Sequence, residues 1–339
     1  MINEMPMILA LPYELLVSLV EYLDGPSRAA LARTCHALNF LTTPHLYESA
    51  DIQLGKSNEF VRTVETKYAD LVRHVTVAVQ HWDVDISPCR VVPCLEKLEN
   101  MQSLTLVGGY WMWDTEDENW DTLEGYLWDY LEKASLKQPV ESRVSTNLRS
   151  LTLDRSERNG QAAFIHYSHI FIIPQLHNLT LRGFMLEEED GEIDLQYERQ
   201  TELQSLRIEN SFVNFPALKK ALRAPRALRF LSISHAERFW HHELKNAEYN
   251  RATVAEFVEA LFLHRDTLEE IQVKVDHIYD NHDNYDMECN STINAPSFHK
   301  HAAQFPVLKR WIGCDRTTLA EYLGSGEFSS SDSSDEDGE

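Results

Sequence analysis

One short pattern recurs along most of this chain and limits the folds open to it. An apolar residue is followed three positions on by a second, and two further on by a third. The series runs Val72/Val75/Val77, Met101/Leu104/Leu106, Leu148/Leu151/Leu153 and Leu176/Leu179/Leu181. It continues through Leu203/Leu206/Ile208, Leu228/Leu231/Ile233 and Leu268/Ile271/Val273, and ends in a damaged copy, Leu308/Trp311, cut by Gly313. The first residues are 29, 47, 28, 27, 25, 40 and 40 positions apart. Alternating apolar positions bury one face of a short strand, and recurrence at a near-constant period marks a structural unit that repeats.

The triplets at spacings of 25–29 resemble leucine-rich repeats. That resemblance implies one parallel strand per repeat with a helical or irregular return. The longer spacings hold insertions, near 107–147 and 234–267. Within them the pattern predicts a helix over Asp117–Ala134, after a capping box at Thr115 and Glu118, and another over Thr253–His264. The Asn or Cys that usually follows the third apolar position is mostly missing; Asn210, after Ile208, stands in a comparable place. Alternation in an ordinary mixed sheet is the competing reading, and seven copies in one order favour an irregular solenoid.

The first fifty residues are of another kind. Leu15, Leu16, Leu19, Val20 and Leu23 fall at helical spacing behind Pro12, which suits a first helical turn. Asp24-Gly25-Pro26 restarts the chain, and Ala29, Ala30, Leu31, Cys35, Leu38 and Leu41 continue a helical pattern up to Pro44. The stretch predicts two or three short helices packed as one unit.

The ordered set Leu-Pro-x-Glu-Leu-Leu, Tyr22-Leu23, Cys35-x-x-Leu38-x-x-Leu41 and Pro44-x-Leu46-Tyr47 resembles an F-box over residues 8–48. It lacks the closing Trp of many animal F-boxes, as fungal-type members do. The resemblance implies docking on the Skp adaptor of a cullin–RING ubiquitin ligase. By motif position, Leu11, Pro12, Leu15, Leu16, Leu19, Leu31, Cys35, Leu38, Leu41 and Leu46 face or support that adaptor. A plain helical hairpin folded onto the rest of the chain is the alternative.

Charge narrows the partners. Of 54 acidic residues against 31 basic, eight lie in Asp114–Glu132, six in Glu187–Asp194 and six in Glu327–Glu339, and those stretches hold no Lys or Arg. The rest carries 34 acids against 31 bases, a nearly balanced body with a formal charge of −23 on the whole. Nucleic acid and anionic membranes are disfavoured partners. The longest uncharged run, Asn159–Leu181, is too polar to span lipid. No Lys or Arg precedes Arg28, so a secretory signal lacks its basic start. Five scattered cysteines, Cys35, Cys89, Cys94, Cys289 and Cys314, suit reduced thiols in the cytoplasm or nucleus.

Nothing in the sequence carries a nucleotide-binding or hydrolase motif, and no cofactor is expected. The patch between Asp276 and Asp286, with His277, Asp280, His282 and Asp283, gathers metal-ligating types at spacings that fit no site. It is expected to be a solvated loop, and it alone speaks for a divergent hydrolase. Two recognition surfaces remain. Strand neighbours of the apolar positions include Thr105, Thr152, Thr180, Arg207, Ser232 and Gln272, then Asp154, Arg182, Glu209 and Lys274. Arg182, Arg207 and Lys274 there suit an extended acidic peptide, unless the face is merely solvated. Trp111 and Trp113 come after Gly108-Gly109 beside an acidic rim; they are interface anchors or packing for the insertion.

The expectation is therefore an α/β chain: a three-helix F-box-like unit over 1–50, a leucine-rich-repeat solenoid with parallel strands over 51–325, and an acidic Ser-rich disordered tail over 326–339. In that tail Ser329, Ser333 and Ser334 each precede an acid by three positions, as acid-directed kinases favour. The resemblance implies a non-catalytic subunit, its helical end binding the Skp adaptor and through it a cullin, its repeats holding a protein substrate. A scaffold without a role in degradation is the alternative.

Overall fold

The structure, a computed structural model, describes residues 7–53, 58–79, 91–108, 129–135, 147–154, 163–164, 168–186, 198–213, 215–234, 254–274 and 304–312. Three helices come first: α1 (Tyr13–Tyr22), α2 (Gly25–Ala32) and α3 (His36–Tyr47). Next in the chain are β1 (Ser49–Gln53), α4 (Asn58–Thr63), β2 (His74–Val79), α5 (Val91–Lys97), β3 (Ser103–Gly108), α6 (129–135) and β4 (Ser150–Asp154). The remainder is β5 (Ala163–Phe164), β6 (Asn178–Arg182), β7 (Phe184–Leu186), β8 (Ser205–Glu209), β9 (Phe212–Val213), α7 (Phe215–Arg223), β10 (Phe230–Ser234), α8 (Val254–Leu261), β11 (Glu270–Lys274) and β12 (Arg310–Ile312). The chain is α/β, with nine parallel strands in the order β1-β2-β3-β4-β6-β8-β10-β11-β12. A smaller sheet has the order β5-β7-β9. Two compact units divide the chain, residues 1–157 with 169–180, and 158–168 with 181–339.

Each triplet supplies a strand and the turn before it. The second and third residues alternate inward and stack in register: Val75, Leu104 and Leu151 in the first unit, Leu206, Leu231, Ile271 and Trp311 in the second. All seven are almost fully buried, as are the leading residues Val72, Met101, Leu148, Leu203, Leu228 and Leu268. Trp311 thus fills the second apolar place of the last, damaged copy, and β12 pairs with β11 despite its three residues.

The backbone repeats as faithfully as the side chains. Just before a strand begins, one carbonyl accepts two successive N–H groups from the start of the next. Glu48 accepts from Arg73 and His74, Arg73 from Gln102 and Ser103, Gln102 from Arg149 and Ser150, and Arg149 from His177 and Asn178. Gln204, Arg229 and Glu269 do the same in the second unit, all at 2.7–3.2 Å. These rungs satisfy the acceptors that a turn would otherwise leave open. Strand ends repeat too: Gly108, Gly183 and Asn210 have φ of 101°, 74° and 47°, each two positions after its third apolar residue. Asn210 stood out in the sequence, and a left-handed turn, open to Gly and tolerated by Asn, explains its type.

Two expectations need adjustment. The helical pattern does not end at Pro44, because α3 runs through it to Tyr47. The sheet begins before the first triplet: β1 enters at Ser49, with Ala50 and Ile52 buried and paired to Val75 and Val77. The expected boundary near residue 50 therefore falls inside a strand. Of the helix expected over 117–134, residues 129–134 are helical and the rest lies outside the described residues. The helix expected over 253–264 is α8 with a closing 3-10 turn, Phe262–His264.

Candidate functional site

The three-helix unit has a small core. Leu16 and Val20 of α1 meet Leu38 and Leu41 of α3, with Ile8, Val17, Leu31 and Cys35 packed around them. Asp24 caps α2 by accepting from the Ser27 N–H at 2.9 Å, which holds its carboxyl below the usual carboxylate range. Arg28 then reaches from α2 to three carbonyls: Nε to Val20 at 2.9 Å, Nη2 to Glu21 at 2.9 Å and Nη1 to His45 at 3.2 Å. Those carbonyls lie at the C-terminal ends of α1 and α3, where a cation is electrostatically favoured. One guanidinium thereby ties all three helices together. Tyr47 stacks on Tyr68 with ring centroids 3.9 Å apart, joining α3 to the π-helical segment Val64–Tyr68 that follows α4.

With Leu16 and Val20 inward, the other stripe of α1 is left to solvent. Leu15 is 55% exposed and Tyr22, seven positions on and so on the same stripe, 92%. Leu11, Tyr13 and, on α3, Phe40 at 75% are exposed as well. Of seven exposed large hydrophobic residues among the described ones, five lie between residues 11 and 40. So many exposed large apolar side chains on so small a unit is a concentration that the rest of the described residues does not repeat.

The expected adaptor residues therefore separate by position. Leu11, Pro12 and Leu15 are exposed; Leu16, Leu38 and Leu41 are core; Leu19, Leu31, Cys35 and Leu46 are half-buried. The exposed Tyr13, Tyr22 and Phe40 are not among the expected adaptor residues, although Tyr22 belongs to the Tyr22-Leu23 pair of the motif. Spacing could have found Tyr22, which continues the stripe of Leu15, whereas Phe40 interrupts no pattern and gave no signal.

On the polar face of the main sheet, β6 and β8 bring Arg182 and Arg207 to one acid. Arg182 Nε donates to Glu209 Oε2 at 2.9 Å, and Arg207 Nη1 lies 3.7 Å from Glu209 Oε1. The guanidinium of Arg207 also covers the Phe230 ring on β10, 4.2 Å from its centroid. Both arginines keep about two fifths of their side-chain surface exposed, against 22% for Glu209. A second cluster stands alongside, with Glu270 taking Gln272 Nε2 at 2.6 Å and Arg310 Nη1 at 3.2 Å. In the first unit, the exposed His74 Nδ1 meets Ser103 Oγ at 2.9 Å across adjacent strands.

Lys274 ends β11, and its side chain lies outside the described residues. So do Trp111, Trp113, Ser329, Ser333, Ser334 and the whole patch from Asp276 to Asp286. Among the described residues, no group of three or more His, Cys, Asp or Glu could hold a metal ion, and no helix is long and apolar enough to cross a membrane. Compared with known proteins, the chain matches no protein-family model and no curated protein.

Proposed function

We propose that this chain is the substrate-recognition subunit of a cullin–RING ubiquitin ligase, an F-box unit followed by an irregular leucine-rich-repeat solenoid. The carrying observation is the exposed apolar stripe of the three-helix unit, which a Skp-type adaptor would cover. The repeating rungs and left-handed strand ends support the repeat reading of the remainder. In this reading the chain performs no bond chemistry. Its polar sheet face takes an acidic or phosphorylated peptide segment at Arg182 and Arg207.

Binding of the full chain to a purified Skp-type adaptor tests the docking half. Leu15→Ala with Tyr22→Ala should weaken binding at least tenfold while leaving the melting temperature unchanged, because both side chains sit largely in water in the free chain. Equal affinity for the double variant would remove the docking surface. Mass spectrometry of bound proteins, with and without proteasome inhibition, separates a degradation subunit from a scaffold.

A further inference from the structure

The Arg182–Arg207 pair already holds an anion, and that anion belongs to the chain. We propose that Glu209 is a resident competitor for the peptide carboxylate or phosphate expected there, so that ligand capture requires its displacement; this inference rests on the reading of the pair as an acidic-peptide site. Arg207 and Glu209 stand two apart on β8 and so share a face, while Arg182 reaches the same carboxylate from β6, the neighbouring strand in the sheet. The three charges sum to one positive, with the carboxylate spread across both guanidinium groups, one oxygen to each. A peptide carboxylate offers the pair what Glu209 already gives. It binds by exchanging with that side chain or by adding its charge beside it.

Geometry favours exchange over addition. Glu209 is the most buried of the three, so the inner approach to the guanidinium groups is taken. Arg207 cannot accompany an incoming ligand far, because its plane rests on Phe230. The exposed portions of both guanidinium groups are where a ligand first meets the site. Rotation of the Glu209 side chain toward solvent then opens the inner position without any strand moving. Ligands of higher charge, such as a run of acidic residues or a phosphorylated side chain, displace it more readily than a lone carboxylate.

The test uses the full chain, with hexaglutamate peptide as probe and inorganic phosphate as a second arm, at low ionic strength. Binding is read from the Nε–H NMR signals of Arg182 and Arg207. Glu209→Gln keeps the shape and removes the charge, and should tighten hexaglutamate binding at least about fivefold, the change that one unit charge at roughly 4 Å makes even at the dielectric of bulk water. Glu209→Asp, which shortens the reach and keeps the charge, should fall between wild type and Glu209→Gln and serves if the latter melts early. Arg182→Ala in the Glu209→Gln background should abolish the gain. Equal or weaker binding by Glu209→Gln overturns the competitor role while leaving the arginine site standing. Arginine signals that move for neither probe in any variant overturn the site itself. Movement for phosphate but not for hexaglutamate overturns the peptide as occupant.

Discussion

His264 donates its Nε2–H to the carbonyl of Leu222 at 2.7 Å. The tautomer is set by the other nitrogen, since Nδ1 accepts the Leu228 N–H at 3.3 Å and must be unprotonated. A buried imidazole thus joins the end of α7 to the turn before β10. Burial, with the nearby charge of Arg199, lowers its proton affinity below that of a free imidazole. An unfolded chain takes up a proton near pH 6.5 that the fold refuses, so stability from this group is complete above about 6.5 and is lost as pH falls toward the lower folded value. The melting temperature of wild type should drop below pH 6.5 more steeply than that of His264→Gln. His264→Ala should cost roughly 2–4 kcal/mol near neutrality, leaving two buried backbone groups unpaired.

Leu15 and Leu16 are neighbours with opposite duties. Leu16→Ala opens the core between α1 and α3 and should cost about 2–4 kcal/mol. Leu15→Ala should stay within about 0.5 kcal/mol of wild type, yet weaken adaptor binding. Chemical denaturation beside a binding titration checks both.

Arg28→Met removes three charge-assisted bonds while keeping most of the apolar stem. The helical unit should lose about 1–2 kcal/mol, seen as faster amide hydrogen exchange in α1 and α3 with the sheet strands unaffected. Uniform acceleration across the sheet would mean that the unit does not open by itself.

Asn210 sits at φ 47° and donates its N–H to Ser234 Oγ at 3.0 Å. Asn210→Gly should be nearly neutral, whereas Asn210→Val, β-branched in a left-handed turn, should cost about 1–2 kcal/mol. Thermal melts of the two variants compare them directly.

The strands of the main sheet were readable because large residues repeat at fixed offsets. From Val72 onward, each triplet became a strand and its preceding turn. Tyr47, Ala50 and Ile52 occupy the same offsets 25 residues ahead of Val72, but Ala at the inward place is too small to announce a strand. α7 escaped notice for a related reason. Its buried Leu218, Ala221 and Leu222 make a narrow stripe between Lys219, Lys220 and Arg223, behind Pro216. In the three-helix unit, the helices were legible from periodicity, but which leucines point outward was not. Apolar residues on both stripes of α1 look alike until α3 covers one of them.

The rungs at the strand starts have a direction. In every one described, the acceptor carbonyl precedes its two donors in the chain: Glu48 before Arg73, Arg73 before Gln102, and so on to Glu269 before Lys309. The order of strands in the main sheet is thus the order of synthesis, and the edge on which each strand after the first is seated lies upstream of it in the chain.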